Sequence, residues 1–308
     1  MHADRQTDVD ADTLELTPYW STSTETSLAS AKIQVEIAAS SHVGLVRANN
    51  EDHYLAVRFT RSLETLFTNV ADDCLKSSFD EMGYGLLVAD GMGGMVAGEV
   101  ASRMALCKLV EIVVNTPDWV MKFNEAKDAA LVMQRMTERF RLVDDELREK
   151  AEADRTLLGM GTTLTVAASL GTDLFIGHIG DSRAYLLRQG KFHQLTNDHT
   201  LAQAMINAGV ADPEDDSTRA MRHVLTAALG SNGARSDPQV QRLHLSSDDQ
   251  VLLCTDGLTE MVKDNTIASV LSSEGSSADA CRKLIDLALG AGGKDNVTVV
   301  LARYSFPN

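Results

Sequence analysis

Three apolar runs in this chain end on an aspartate: LLVADG at Asp90, FIGHIGDS at Asp181 and LLCTDG at Asp256. A fourth aspartate, Asp295, stands just ahead of the apolar run VTVV. Aspartate is depleted inside strands and favoured in turns, where its side chain caps its own backbone. Taken singly, each of the four reads as a turn residue. Together they constrain the fold. If the strand ends meet at one rim of packed sheets, the carboxylates converge and repel, and some must take up protons unless a cation compensates. A hard divalent ion with oxygen ligands, Mg²⁺ or Mn²⁺, is the natural compensation. Gly91 and its neighbours in DGMGG remove side-chain bulk, so that a backbone carbonyl can reach such an ion. The loop is not a phosphate-cradling P-loop, because G-x-x-x-x-G-K-[ST] is absent.

Upstream lies VRANNED. Arg47 there can hold a phosphate by two parallel hydrogen bonds, which lysine cannot imitate. Glu51 and Asp52 can hold metal-bound water. Each alone also reads as a solvated surface charge.

The rest of the chain is ordinary for a globular protein. At 308 residues, 44% hydrophobic and 23% charged, it fits one large domain or two small ones. The formal net charge of -16 argues against a nucleic-acid partner, since phosphate backbones are held by Lys and Arg. Cys74, Cys107, Cys254 and Cys281 are scattered and suggest neither a zinc site nor a disulfide framework. No apolar run is long enough for a membrane helix, and MHADRQTDVDAD lacks the features of a secretory signal. A cytoplasmic protein is expected.

Residues 1–31 are rich in Ser, Thr, Asp and Glu and read as a flexible acidic tail; Ser21, Thr22 and Thr24 are possible kinase targets within it. IQVEIA and HYLAVRF are strand patterns, and the polar, irregular stretch 60–83 between the second of these and YGLLVA reads as an insertion. Helices are expected from about Glu99 to Val114 and Asn124 to Ala153, the latter burying Ala130, Met133, Phe140, Val143 and Leu147. TTLTVAASL, DLFIGHIG and RAYLLRQ follow as strands, with a hairpin turn at Arg188-Gln189-Gly190-Lys191. A helix from His199 to Gly209 leads into a polar, acidic surface flap; flap and flanking segments span about 197–222. Then come the strand VLLCTDG, helices over Leu258–Val270 and Ser277–Leu289, and the closing strand NVTVVLARY. No internal repeat or domain linker is visible. Two similar blocks of strands and paired helices suggest two sheets packed face to face with helices outside, in one domain.

Seven strings, GLVRANNEDHY, LLVADGMGGMVAGEVAS, GMGTTLTVA, HIGDSRAYLLRQGKFHQLTNDHT, VLTAALG, LLCTDGL and KDNVTVV, together resemble the metal-dependent protein phosphatases (PPM, the type 2C Ser/Thr phosphatases) in their compact bacterial form. They occur in the family's order and cover about Val43 to Arg303. The resemblance implies an α+β fold, a four-layer α/β/β/α sandwich of two antiparallel sheets flanked by helix pairs, in a single catalytic domain over 32–305. It implies that Asp90 bridges two metals, Gly91 lends its carbonyl oxygen to one, and Asp256 and Asp295 complete the two-metal core. Asp181 resembles the ligand of a third ion, shared with Asp256. Asp52 and Glu51 would act through water, and Arg47 would bind the phosphate; Arg47, Asp52 and Asp90 form the implied catalytic set.

The activity implied is hydrolysis of phosphoserine and phosphothreonine by direct attack of a metal-bridging water, with two Mn²⁺ or Mg²⁺ in the core and a third beside them, opposing bacterial Ser/Thr kinases. The implied partners are phosphorylated proteins, among them a kinase and its substrates. A monomer is expected. Many eukaryotic relatives place a histidine where this chain has Met92, so the leaving group's proton is expected from a metal-bound water. His178 reads as a core histidine, while His199 and His223 lie near the flap. Two alternatives stand beside this reading: a phosphatase of an anti-sigma-factor antagonist, and a non-catalytic phosphoprotein-binding module.

Overall fold

The computed structural model describes residues 33–67, 78–93, 97–116, 126–213, 215–231, 233, 235–273 and 275–306. The acidic tail, Cys74 and the serines and threonines named within the tail lie outside them. Eleven strands and seven helices are seen among the described residues. In chain order they are β1 (Gln34–His42), β2 (Asp52–Glu64), β3 (Ser78–Met92), α1 (Ala97–Asn115), α2 (Ala126–Ala153), β4 (Gly161–Thr162), β5 (Leu164–Leu170), β6 (Asp173–Ile179), β7 (Arg183–Arg188) and β8 (Lys191–Gln194). Then follow α3 (Leu201–Asn207), α4 (Asp216–Arg219), β9 (Gln239–His244), β10 (Gln250–Cys254), α5 (Asp256–Thr259), α6 (Asp264–Ser273), α7 (Ser277–Gly290) and β11 (Val297–Ser305). No helix among them is long and apolar enough to cross a membrane.

Two antiparallel sheets result. One runs β1-β11-β10-β7-β8; the other runs β2-β3-β5-β6-β9, with β4 paired to β3. Neither sheet is built from one block of the chain, since β1 pairs with the last strand, β11, and not with β2. Alternation along the strands sets the layers. Leu86 and Val88 of β3 point between the sheets, where they join Val251, Leu253, Val300 and Ala302. Leu87 and Ala89, facing the other way, pack under α1 and α2 with Ala101, Ala105, Phe140 and Val143. On the outer face of the first sheet, Leu252, Cys254, Val299 and Leu301 pack against Ile267 of α6 and Leu284 of α7. Three apolar layers separate four layers of structure, the α/β/β/α sandwich.

Three local readings are corrected. The stretch 60–83 is not an irregular insertion throughout. Thr60–Glu64 pair with Ser78–Met82, extending β2 and β3 as a two-stranded ribbon. The backbone hydrogen bonds of this ribbon come from its own two strands, so polar residues can form it. In α2, Ala130 is exposed and Ala129 is buried, and Met136 joins Phe140, Val143 and Leu147 inside. The apolar stripe is shifted by one residue at the helix start. The helix expected over Leu258–Val270 is two helices, α5 and α6, with a break at residues 260–263. The hairpin turn falls where expected: Gln189 and Gly190 both have positive φ, 51° and 74°, the conformation of a two-residue turn whose twist matches the strands it joins.

Candidate metal centre

The register of β2 and β3 sets Asp52 directly opposite Asp90. Two carboxylates facing each other on paired strands are unfavourable by themselves. The site is built around that pair. Asp181 sits in the turn between β6 and β7, Asp256 is the first residue of α5, and Asp295 lies two residues ahead of β11. Asp90 is not a loop residue, because β3 continues through it to Met92 and pairs there with β4. Asp256 likewise does not end its strand in a turn; Thr255 separates it from β10 and occupies the N-cap position of the helix it opens, without a capping side-chain hydrogen bond.

Arg47, Glu51, Asp90, Gly91, Asp181, Asp256 and Asp295 line one cleft of about 620 Å³, together with Met92, His223, Glu260 and Lys294. Asp52 is buried beneath it. Its Oδ2 accepts a hydrogen bond from Thr255 Oγ1 at 2.8 Å. The Thr255 hydroxyl in turn accepts from the backbone N–H of Thr298 at 3.0 Å, so Asp52 is tied across to the residue that follows β10 and, through it, to β11. The Asp90 backbone is held by Thr163, whose hydroxyl accepts the Asp90 N–H at 3.0 Å and whose own N–H donates to the Asp90 carbonyl at 2.9 Å. Gly91 admits no side chain: a Cβ there would lie 2.1 Å from the Gly98 carbonyl oxygen of α1 and 2.9 Å from that of Glu51.

Arg47 reaches the cleft from a loop and donates to Asp295 Oδ2 at 2.5 Å. That loop is pinned by Asn296. Its side-chain oxygen accepts the Glu51 N–H at 2.8 Å, and its amide donates to the carbonyls of Val43 at 2.9 Å and Asn49 at 2.8 Å.

Burial and mutual repulsion act on the acids in the same direction. Burial, then the neighbouring carboxylates of Asp52, Asp256, Asp181 and Asp295, hold Asp90 well above the ordinary aspartate range. Asp256 is raised likewise, by burial and then by Asp181, Glu260, Asp295 and Asp52. Burial pushes Asp52 up to about 7, against hydrogen bonds from Thr298 and Thr255 that favour its charged form. Asp181 is also pushed up to about 7, by burial and then by Asp198. Glu51 is raised, again by burial first. A cleft that resists ionising its own carboxylates is one that gains from a cation.

The donor set fits such an ion. Asp52 Oδ1 and Asp256 Oδ1 are buried and accept no hydrogen bond, leaving carboxylate oxygens that need a partner. All the donors at hand are hard oxygens, with His223 at the margin, which suits Mg²⁺ or Mn²⁺ over a thiophilic metal.

The structure brings Arg47, Glu51, Asp90, Gly91, Asp181, Asp256 and Asp295, all singled out in the sequence, to one cleft, with Asp52 opposite Asp90 on the paired strand. Sequence reasoning missed Glu260, although its spacing of four from Asp256 on a helical stretch put the two on one face. His223 Nδ1 lies 2.6 Å from Glu260 Oε1, and His223, Asp256 and Glu260 bring ligand atoms within 4.8 Å of one another. It also missed Asn296, whose signal was an amide at a strand start, where only a structural partner would keep it. His178 is a core histidine: Nδ1 is 2.9 Å from Thr165 Oγ1 and Nε2 is 3.2 Å from the Asn197 carbonyl. His199 stacks on it at 5.0 Å between ring centroids and is not among the residues lining the cleft.

Comparison with known proteins places this arrangement. The chain matches the family profile described as "Protein phosphatase 2C" over residues 68–285. It is 35% identical over 278 residues to the serine/threonine protein phosphatase PstP of Mycobacterium tuberculosis (strain ATCC 25618 / H37Rv), covering 89% of this chain and 46% of PstP. The chain thus spans about half the length of that relative. It is 31% identical over 267 residues to the protein phosphatase PhpP of Streptococcus pneumoniae, covering 87% of this chain and 96% of PhpP. Among solved structures, the catalytic domain of PstP in complex with two manganese ions superposes with a TM-score of 0.68 at 33% identity, over 89% of this chain and 99% of that one. With the profile matched over most of its length and a relative of this identity covered almost end to end, the chain belongs to the protein phosphatase 2C family.

Proposed function

We propose that the protein is a metal-dependent phosphoprotein phosphatase that hydrolyses phosphoserine and phosphothreonine, opposing Ser/Thr kinases. The observation that carries this is the convergence of five aspartates from five separate segments beneath one cleft, with buried oxygens of Asp52 and Asp256 unpartnered and Arg47 at the rim. The names of the relatives, serine/threonine protein phosphatase and protein phosphatase, support the substrate class.

Asp90, Asp256, Asp295 and the Gly91 carbonyl would hold two divalent ions, as the manganese pair of the PstP catalytic domain suggests. Asp181 with Asp256 would hold a third, and Asp52 and Glu51 would orient coordinated water. Bound there, the ions lower the pKa of water, orient the phosphate and offset its charge. The protein's own groups do the rest. Arg47 offers its remaining N–H groups to the phosphate oxygens, held in place by Asp295, which occupies one nitrogen. Asp52, fixed by the Thr255 hydroxyl, places a carboxylate beneath Asp90. Met92 lines the cleft and has no proton to give the leaving alkoxide. No serine or cysteine nucleophile is required.

The test is hydrolysis of p-nitrophenyl phosphate and of phosphothreonine peptides with added Mn²⁺. Activity that disappears on chelation and in Asp90→Asn is expected. A rate no higher than that of the Asp90→Asn protein would sink the proposal. Tight phosphopeptide binding without turnover would point to the non-catalytic module.

A further inference from the structure

The leaving group of the reaction proposed above is a serine or threonine alkoxide, a strong base that departs readily only with a proton. Met92 has none to give. Few of the other side chains lining the carboxylate cleft can supply it. Arg47 and Lys294 carry groups of a kind that hold their protons well above neutrality. The Thr163 hydroxyl is tied between the Asp90 N–H at 3.0 Å and Ser182 Oγ at 2.8 Å. The acidic side chains other than Glu260 are assigned above to cations and their water. That leaves His223, and imidazole is the side chain that takes up and gives away a proton near pH 7.

The setting of His223 suits that task. It follows α4, and the chain just beyond it is fixed: the Val224 carbonyl accepts the Leu201 N–H at 2.8 Å, and the Thr226 N–H donates to the His199 carbonyl at 2.8 Å. The ring lines the carboxylate cleft and also a second cleft of about 400 Å³ beside it. Its Nδ1 lies 2.6 Å from Glu260 Oε1. A carboxylate at Nδ1 orients the ring, favours its protonated form and leaves Nε2 as the nitrogen that exchanges a proton. Glu260 is placed by Asp256, whose carbonyl accepts the Glu260 N–H at 2.9 Å, so one helical turn carries both acids. The His223 side chain is 62% exposed and that of Glu260 25%. Solvent can therefore reload the ring after each turnover, while its carboxylate partner stays sheltered.

We propose that His223 is the general acid of the reaction, with Glu260 as its positioning residue, in place of the metal-bound water expected from the sequence. This rests on the phosphatase function proposed above. As the oxygen of the attacking water bonds to phosphorus, the bond from phosphorus to the serine or threonine oxygen breaks, and its electron pair stays on that oxygen. The proton on His223 Nε2 passes to it, and the residue leaves as a neutral hydroxyl. The attacking water releases a proton to solvent and solvent returns one to His223, so each turnover consumes one water and no other reactant.

The experiment uses the full chain with Mn²⁺ and two substrates that differ in leaving group. A phosphothreonine peptide releases an alkoxide; p-nitrophenyl phosphate releases a phenolate that is stable without a proton. The readout is the ratio of kcat on the peptide to kcat on p-nitrophenyl phosphate, so that losses common to both cancel. His223→Gln should lower this ratio about a hundredfold, the lower end of what a positioned general acid contributes. Glu260→Gln should lower it by less, about tenfold, because the ring stays and only its orientation and charge are weakened. In the unaltered protein, kcat across a series of substituted phenyl phosphates should depend only weakly on the leaving group's pKa, and His223→Gln should steepen that dependence. A steep dependence already present in the unaltered protein, or a ratio unmoved by His223→Gln, would overturn the proposal while leaving the phosphatase function intact. If both rates fall together and the Mn²⁺ requirement rises, His223 holds a cation and is not the acid. Absence of hydrolysis of both substrates by the unaltered protein would remove the phosphatase function, and the general acid with it.

Discussion

Arg47 donates to Asp295 at 2.5 Å, joining two residues 248 positions apart in the chain. The guanidinium is half exposed, so the bond contributes little to stability. Its effect is orientation: one nitrogen is committed to Asp295, and Arg47 lines the cleft. Arg47→Lys keeps the charge but not the fork. It should raise KM for phosphopeptides about tenfold with a smaller change in kcat, and Arg47→Ala should do more. Steady-state kinetics on both variants checks this.

The raised carboxylates predict a pH-dependent response to metal. A carboxyl group whose folded pKa lies above its unfolded value binds more protons when folded. The stability it contributes is therefore present at low pH and lost as pH rises from the unfolded pKa through the folded one. For Asp52 and Asp181, raised from 3.8 to about 7, that window runs from about pH 4 to about pH 7. Metal-free protein should lose this contribution across the window. Mn²⁺, which requires the ionised groups, should stabilise more strongly as pH rises. The difference in Tm between Mn²⁺-loaded and chelated protein should thus be larger at pH 7.5 than at pH 5.5. A difference that shrinks with pH would contradict the assignment.

Asn296 makes three hydrogen bonds to the loop that carries Arg47 and Glu51. Replacing it with alanine removes three part-buried hydrogen bonds from that loop, at a cost of about 1–3 kcal/mol. Asn296→Ala should lower the free energy of unfolding by that amount and also raise KM, since Arg47 loses its support. Asn296→Asp should be no better, because a carboxylate cannot donate to the carbonyls of Val43 and Asn49. Urea unfolding and kinetics on the two variants separate the effects.

Gly91 and Gly98 meet back to back, β3 against the start of α1. Gly91→Ala puts a methyl group 2.1 Å from a backbone oxygen, which cannot swing aside as a side chain can. The strand must shift, at a cost of about 1–3 kcal/mol. Because the Gly91 carbonyl shifts with it, the Mn²⁺ concentration giving half-maximal activity should rise by more than tenfold. An unchanged Mn²⁺ requirement would show that the Gly91 carbonyl is not a ligand.

How much of this was legible beforehand depended on what each residue's neighbours were. Strands such as YGLLVA and VLLC are apolar on both faces because they lie between a helix layer and another sheet, so their sequence announces them. β9, QVQRLH, is an edge strand with two apolar residues, and nothing in its sequence marked it. The ribbon over residues 60–64 and 78–82 escaped for a related reason: its hydrogen bonds come from its own partner strand, so its composition could be polar. The aspartates stood out because each interrupts or precedes an apolar run. Glu260 and Thr255 did not, since a glutamate on a helix and a threonine after a strand are ordinary there. Their roles come from Asp256 and Asp52, which the fold brings near. The boundary between α5 and α6 was hidden because four polar or apolar residues at 260–263 keep helical composition without helical hydrogen bonding throughout.

The pairing of the first described strand with the last has a bearing on when the protein can work. Thr255 and Thr298 hold Asp52, Asp295 orients Arg47, and Asn296 fixes Glu51; in each case a residue from the final fifth of the chain completes a group from the first. A chain still emerging during synthesis, or one cut before β11, therefore carries most of its carboxylates without the contacts from Asp295, Asn296 and Thr298. Under the proposed function, activity would switch on only with the closing strand.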